Sequence, residues 1–385
     1  MKKKNNNITP QQRKIDSTLN YAVFKTKTNI QLDEKRVIPQ NHIITFPNNN
    51  HISDKIEYVC ELNDIIQPIP KNPQDLNNKK ILIIRTGGLG DIIASLYLVN
   101  EIKKRFPLCK ILYLSAYHHN DLLKIFYKFL FGISDVIVSV DTIKDFDYYI
   151  NLDNTIETSV FANSKTIQQI FANQVFDNIE FSTNSTDDII NNNDIFNKIT
   201  NSKNFKRSGI GIHYSSSSRL RSYPIEQTIE LIDLLFEKYP NEQIYLINPP
   251  SNFVESEYIY YRIKNNKNFF ITSEIDCVTI NDLFSLITNL KLVIGIDSSI
   301  VHLAGVCKTP ILGIYGPFAS SLRIKYYYNS IGIDAQADCS PCFRHEPESF
   351  CKVSHNEAEC IRKTITPQFV LETLENNFNK ILMEE

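Results

Sequence analysis

No apolar run in the 385-residue chain approaches the ~20 residues needed to cross a bilayer as a helix, so no transmembrane segment is expected. Charge of one sign is also missing. The 41 basic residues face 43 acidic ones, a net charge of -2, so no global field draws the chain toward nucleic acid. The opening MKKKNNN is basic and polar, but no apolar core follows it. It is therefore not read as a secretory leader, and a soluble cytoplasmic protein is expected. Two phosphate-binding signatures are absent too. No Gly-Lys-Ser/Thr follows the glycine-rich turn near residue 88, and no acidic residue ends the next strand as a dinucleotide fingerprint requires.

What the chain does contain is the make-up of a globular protein, with 42% hydrophobic and 22% charged residues. Its length suffices for two domains with separate cores. Residues 1–78 read as a β-rich unit after a polar, disordered start of about twenty residues, because short alternating bursts such as HIITF and KIEYVCEL are broken by Asn and Pro. Residues 79–205 begin with the apolar run Ile81–Ile84 and alternate strands with helices, including Asp91–Arg105, Lys110–Leu114, Asn120–Phe131, Asp135–Val140 and Tyr148–Leu152. Thr183–Asn204 is polar and reads as a surface excursion or linker. A second strand–helix series fills residues 206–335, from Ser208–His213 to Pro310–Tyr315. Two such series predict α/β lobes with parallel sheets facing a cleft. Residues 336–385 hold a cysteine segment and a closing amphipathic helix, Pro367–Asn379.

Three polar strand ends are candidates for chemistry. In Thr86-Gly87-Gly88-Leu89-Gly90-Asp91, the glycines either let backbone approach a ligand or adopt positive φ, and Asp91 is a helix cap, a catalytic base, or both. The second is His213-Tyr-Ser215-Ser-Ser-Ser-Arg219-Leu-Arg221-Ser-Tyr-Pro224, where hydroxyls, amides and two guanidiniums form either a phosphate cradle or a solvated loop. The third is Asp297-Ser298-Ser299-Ile-Val-His302 after a buried strand. Its Ser298 and His302 share a helix face, and the helix start suits a diphosphate. Taken alone it reads slightly better as an Asp/Ser cap with a packed histidine. All three at strand ends of facing lobes make chance an unlikely source of the pattern, and an enzyme acting on a nucleotide-linked substrate follows.

The eight cysteines divide in two. Cys60, Cys109, Cys277 and Cys307 are scattered among apolar neighbours and read as small buried hydrophobes. Cys339, Cys342, Cys351 and Cys360 are spaced C-x2-C-x8-C-x8-C, which can supply four thiolates to a tetrahedral metal. His345 or His355 could replace one of them, and paired or free thiols are the other reading.

IIRTGGLGDIIASLYLVNEIKKRFP and LVIGIDSSIVHLAGVCKTPILGIYGP resemble the two signatures of the heptosyltransferases, glycosyltransferase family 9. Arg-Ser-Tyr-Pro at 221–224 stands where that family has Lys-x-Trp-Pro. The resemblance implies a GT-B fold, two Rossmann-like domains with the site between them. It also implies an inverting, metal-independent transfer of heptose from ADP-heptose to a hydroxyl. Asp91 would be the base, Arg221 would take the phosphate-binding place of the usual Lys, and Asp297, Ser298, Ser299 and His302 would hold the donor; Gly88, Gly90, Ser215 and Arg219, read from the polar strand ends themselves, complete the candidate donor site. Arg for Lys at 221 changes the grip on phosphate, and Ser299 for Gly adds a side chain where backbone meets phosphate. A β-rich start and a four-cysteine finger resemble the autotransporter heptosyltransferases, which modify serines of surface proteins, carry an iron-binding finger and assemble as large homo-oligomers. A lipopolysaccharide-core heptosyltransferase is the alternative, and a non-catalytic metal-finger module on a degenerate scaffold is a third. An epimerase or oxidoreductase is disfavoured, because no Tyr-x-x-x-Lys is placed for hydride chemistry.

Overall fold

The structure is a computed structural model. It describes residues 21–26, 30–31, 37–38, 43–47, 56–115, 120–126, 130, 132–135, 144–191, 193–202, 205–248, 253–263, 266–275, 277–344, 350–354 and 358–383. The polar start read as disordered lies outside them.

In the N-terminal segment β1 (Tyr21–Thr26) pairs antiparallel with β4 (Ile43–Pro47) and β5 (Ile56–Glu61), and the short β2 (Ile30–Gln31) and β3 (Val37–Ile38) pair with each other. The next sheet is parallel, in the order β6-β10-β7-β8-β9. Its members are β6 (Gln67–Pro68), β7 (Lys80–Ile84), β8 (Lys110–Ser115), β9 (Gly132–Asp135) and β10 (Tyr148–Asn151). The strand read at Asp135–Val140 is found as β9, and residues 136–140 lie outside the described set. The third sheet is also parallel, ordered β13-β12-β11-β14-β15-β16. It comprises β11 (Ile210–His213), β12 (Ile244–Leu246), β13 (Phe269–Ile271), β14 (Leu292–Ile296), β15 (Ile311–Tyr315) and β16 (Ser330–Asp334).

These elements form for local reasons. Runs of branched aliphatics make β7, β14 and β15, whose interior residues are buried, as parallel strands covered on both faces require. Helix Ile225–Lys238 buries Thr228, Leu231, Ile232 and Leu235, one stripe at helical spacing. Helix Ile280–Asn289 starts at a reciprocal cap. The Asp282 amide donates to the Thr279 hydroxyl at 3.2 Å and the Thr279 amide to the Asp282 carboxylate at 2.8 Å. Helix Pro367–Met383 buries Val370, Leu374, Phe378 and Leu382 and packs on Ile225–Lys238.

Strand order places the ligand crevices. In the C-terminal lobe the chain reverses direction of growth between β11 and β14, and in the N-terminal lobe between β7 and β10. Open parallel sheets bind ligands beyond the strand ends at such points. All three polar strand ends emerge there, from β7, β11 and β14.

Thr183–Asn204 is not a linker. It folds into helices Asn184–Ile190 and Asp194–Thr200, which bury Ile189, Ile190 and Phe196. Thr186 sits between the lobes: its hydroxyl shares a 2.6 Å hydrogen bond with that of Tyr97 and donates to the Tyr326 carbonyl at 3.1 Å. The polar composition hid three apolar anchors. One apolar cluster runs from Ile81, Ile92 and Leu96 in one lobe to Val301, Leu303 and Tyr326 in the other. Among the described residues no helix is long and apolar enough to cross a membrane. Cys109 and Cys307 are buried as expected, whereas Cys277 is only half-buried.

Candidate active site

Asp91 lies in the first turn of helix Leu89–Arg105, 22% exposed. It is not a cap. The cap residue is Gly88, in extended backbone with no side-chain bond. The Asp91 carboxylate instead accepts from Nη2 of Arg85, a residue overlooked in the sequence because it precedes the glycine turn. Arg85 is 3% exposed, and its Nη1 donates to the Leu152 carbonyl at 3.0 Å. The same guanidinium faces Asp153 at 3.6 Å and Glu157 at 3.9 Å. Burial works against its charge, but Asp91, Glu157 and Asp153 outweigh that and hold it above its ordinary value. Asp153 in turn accepts from the Thr86 amide at 2.7 Å and hydroxyl at 2.8 Å. One cation among three carboxylates leaves this side negative.

The glycines act through close approach rather than positive φ; among the described glycines only Gly209 has it. A Cβ on Gly87 would lie 2.5 Å from Arg85 Nη2. One on Gly90 would lie 2.7 Å from His302 Cδ2 and 3.5 Å from the Ser299 Cα, both in the opposite lobe. Gly88 meets only Asp91, at 3.9 Å. The starts of helices Leu89–Arg105 and Ser299–Val306 therefore touch, and both positive dipole ends converge on one spot.

Across that contact lies a positive group. Buried Asp297 is met by Arg323 Nε at 3.3 Å and by Arg221 Nη1 at 3.8 Å. Arg221 also donates to the Asp297 carbonyl at 2.9 Å and to the Ser217 hydroxyl at 3.0 Å. Arg323, which no local signal marks in the sequence, lies over the Phe318 ring at 4.1 Å. Two guanidiniums share one carboxylate. The hydroxyls of Ser298 and Ser218 and the Arg221 Nε are buried with no partner among the described residues. Buried donors without partners call for an explanation, and a bound oxyanion supplies one. Ser215 is buried at the end of β11, and Arg219 is exposed in the turn Arg219–Arg221.

Ser298 and His302 do not pair. Only backbone links them, at 3.5 Å. The ring Nδ1 lies 2.7 Å from the Tyr327 hydroxyl, which receives a 3.4 Å bond from Gln168 Nε2. The chain is satisfied when Gln168 donates to Tyr327 and Tyr327 to Nδ1, which leaves the ring proton on Nε2, the nitrogen beside Gly90. Burial pushes His302 down to about 4, opposed by Asp297 and Asp91 and aided by Arg323 and Arg221, so the imidazole is neutral. His213, whose Nδ1 lies 2.7 Å from the Ile247 carbonyl, is also pushed down to about 4 by burial. Unfolding returns both to about 6.5, so the unfolded chain gains protons as pH falls from there toward 4. Each should cost up to about 1.4 kcal/mol per pH unit. A melting temperature declining steadily from pH 6.5 toward 4, with a shallower slope in His302→Gln, is the expected result. A flat profile would contradict it.

Beside Asp153 a groove of about 660 Å³ opens in the N-terminal lobe, lined by Asn151, Asn154, Thr155, Lys165 and Gln174. It includes none of the candidate donor-side residues. Cys339, Cys342, Cys351 and Cys360 line a separate small cavity with Leu220 and Pro317. All four are free thiols. Among the described residues no three metal-ligating side chains stand close enough to share an ion. Burial pushes the Cys351 thiol up, but the amides of Ser354, Glu359 and Val353 outweigh it and bring it to about 7.

Two parallel α/β lobes with a positive group facing a carboxylate across converging helix starts define a two-lobed transferase fold, similar to the GT-B heptosyltransferases. The family description of glycosyltransferase family 9 (heptosyltransferase) matches residues 144–352, more than half of the chain. The chain belongs to that family and is a glycosyltransferase. ADP-heptose LPS heptosyltransferase II of E. coli is 14% identical and superposes with a TM-score of 0.56, over 79% of this chain and 98% of its own. The glycosyl transferase family 9 protein of Veillonella parvula is 13% identical, with a TM-score of 0.56 over 82% and 100% of the two chains. The iron-containing dodecameric glycosyltransferase TibC of enterotoxigenic E. coli is 11% identical, with a TM-score of 0.57 over 94% and 93%. At such identities these likenesses establish the fold. No curated protein matches the sequence.

Proposed function

We propose that the chain transfers heptose from ADP-heptose to an acceptor hydroxyl with inversion, without a catalytic metal. The observation that carries this reading is the pairing of a net-positive Asp297–Arg221–Arg323 group, with unpartnered donors beside it, against the carboxylate of Asp91. A hydroxyl attacks slowly until its proton is taken, and a placed carboxylate supplies about 10²–10⁴-fold. The departing ADP gains negative charge. Arg221, Arg219 and Ser215, with the backbone and hydroxyls of Ser298 and Ser299, stabilise that charge where a divalent cation would otherwise sit. Gly88 leaves room for the donor beside Asp91, Gly90 lets the two helix starts close on it, and neutral His302 offers Nε2–H to it. Inversion follows when the acceptor, held on the Asp153 side, attacks opposite the leaving diphosphate.

The acceptor we favour is a serine hydroxyl of a surface protein of the autotransporter kind. TibC superposes on 94% of this chain and LPS heptosyltransferase II on 79%, and the wider overlap with the former supports this reading. A solved complex of TibC holds ADP-D-β-D-heptose, and TibC is described as dodecameric, which motivates the same donor and a homo-oligomer here. A lipopolysaccharide-core sugar is the other acceptor. ADP release measured with ADP-heptose and either a serine-rich passenger fragment or truncated lipopolysaccharide separates them. The expected result is release that depends on the protein fragment. No release with either acceptor, and no binding of ADP-heptose, would end the reading.

We also propose that the enzyme is cytoplasmic and carries a structural iron or zinc ion on Cys339, Cys342, Cys351 and Cys360. Four free thiols, the donor type for such an ion, line one cavity, and binding would have to draw them together, since no three ligating side chains among the described residues stand close enough to share it. When bound, the ion would tie the C-x2-C turn to helix Glu359–Thr364. Purified protein should hold about one ion per chain, and Cys342→Ser should lose it with a lower melting temperature. Equal metal content in both preparations would remove the proposal.

A further inference from the structure

We propose that Arg85 is the positioning residue of the base, the group that turns the Asp91 carboxylate toward the acceptor hydroxyl. The inference rests on the reading of Asp91 as that base. Helix geometry does not hold this carboxylate, because the cap position has no side-chain bond, and Arg85 Nη2 makes its one hydrogen bond among the described residues. Only Oδ2 is engaged, so Oδ1 is left for an incoming hydroxyl.

The guanidinium is itself held from several sides. Leu152 accepts from Nη1 at 3.0 Å, Asp153 and Glu157 stand at 3.6 and 3.9 Å, and the Phe171 ring lies 5.5 Å away. Asp153 is fixed by two bonds from Thr86. Gly87 keeps the space open, since a Cβ there would stand 2.5 Å from Nη2. A planar fork gripped at both ends transmits the position of β10 to the start of helix Leu89–Arg105. Lysine has the charge but not the fork.

A tie between elements would stabilise the fold without serving Asp91, so the test must tell the two apart. Arg85→Lys, Asp91→Asn and the double variant form a cycle, each followed by ADP release, ADP affinity and melting temperature. Arg85→Lys should lower kcat by about 10–100-fold, since small misplacements of a reacting group cost that much. ADP affinity should stay within about twofold, and in the Asp91→Asn background the same change should alter the residual rate less than about threefold, as expected for residues acting as a unit. Methylguanidine should restore part of the turnover of Arg85→Ala. Parent-like kcat in Arg85→Lys, or a loss that multiplies in the double variant, overturns the inference and leaves the base reading standing. Parent-like turnover in Asp91→Asn removes both. Should the Arg85 variants fail to fold, Gly87→Ala decides, because it displaces the guanidinium and keeps its charge. The same non-multiplying loss of kcat is expected from it, and unchanged turnover overturns the inference.

Discussion

Asp91→Asn should lower acceptor-dependent ADP release by about 10²–10⁴-fold, the range for removing a general base. Asparagine keeps the shape of the side chain and can still accept from Arg85, so the local hydrogen bond survives while the capacity to take a proton is lost. Arg85 retains Asp153 and Glu157 as counter-charges, so the fold should persist. Affinity for ADP-heptose should change by less than about threefold, because the positive group lies in the opposite lobe. Initial rates of ADP release, with donor affinity from calorimetry, make the comparison. A variant with more than a tenth of the parent turnover would show that Asp91 is not the base.

Asp297→Asn should be the most damaging change to stability in the donor half of the site. The carboxylate is buried between Arg221 and Arg323, and neutralising it leaves two guanidiniums facing each other without their shared counter-ion. Breaking a buried pair from one side costs about 3–5 kcal/mol, because the surviving charge remains desolvated. At ~2–4 °C per kcal/mol, the melting temperature should fall by roughly 6–20 °C. ADP should recover more of that loss than it adds to the parent, since its phosphates can replace the missing anion. Thermal melts with and without ADP read both effects. A melting temperature within a degree of the parent would mean that Asp297 does not hold the arginines.

The three polar strand ends were legible because each is a local pattern: a buried aliphatic strand, a turn of small or polar residues, and a helix start. The family resemblance rested on the same segments and agrees with the family match. Roles inside those segments were less legible. Asp91 read as a possible cap because capping is judged from neighbouring residues, whereas its partner is a buried guanidinium that the same turn brings back over Gly87. Ser298 and His302 shared a helix face in the sequence, yet the imidazole turned to Tyr327, supplied by a later segment. Thr183–Asn204 looked like a linker because its apolar residues are few, although they are placed to pack.

Amino-acid order alone determined the alternation of strand and helix, the three polar strand ends and the C-x2-C spacing, because these depend on residues a few positions apart. Folding decided which charges meet. Arg85 reaches the Leu152 carbonyl across 67 positions, Arg221 reaches that of Asp297 across 76, and Arg323 reaches the Asp297 carboxylate across 26. Such partners are set by strand order and by the contact between lobes. Coulomb attraction and desolvation act through space, so the negative network around Asp91 and the positive one around Asp297 exist only once the two sheets have placed their ends face to face.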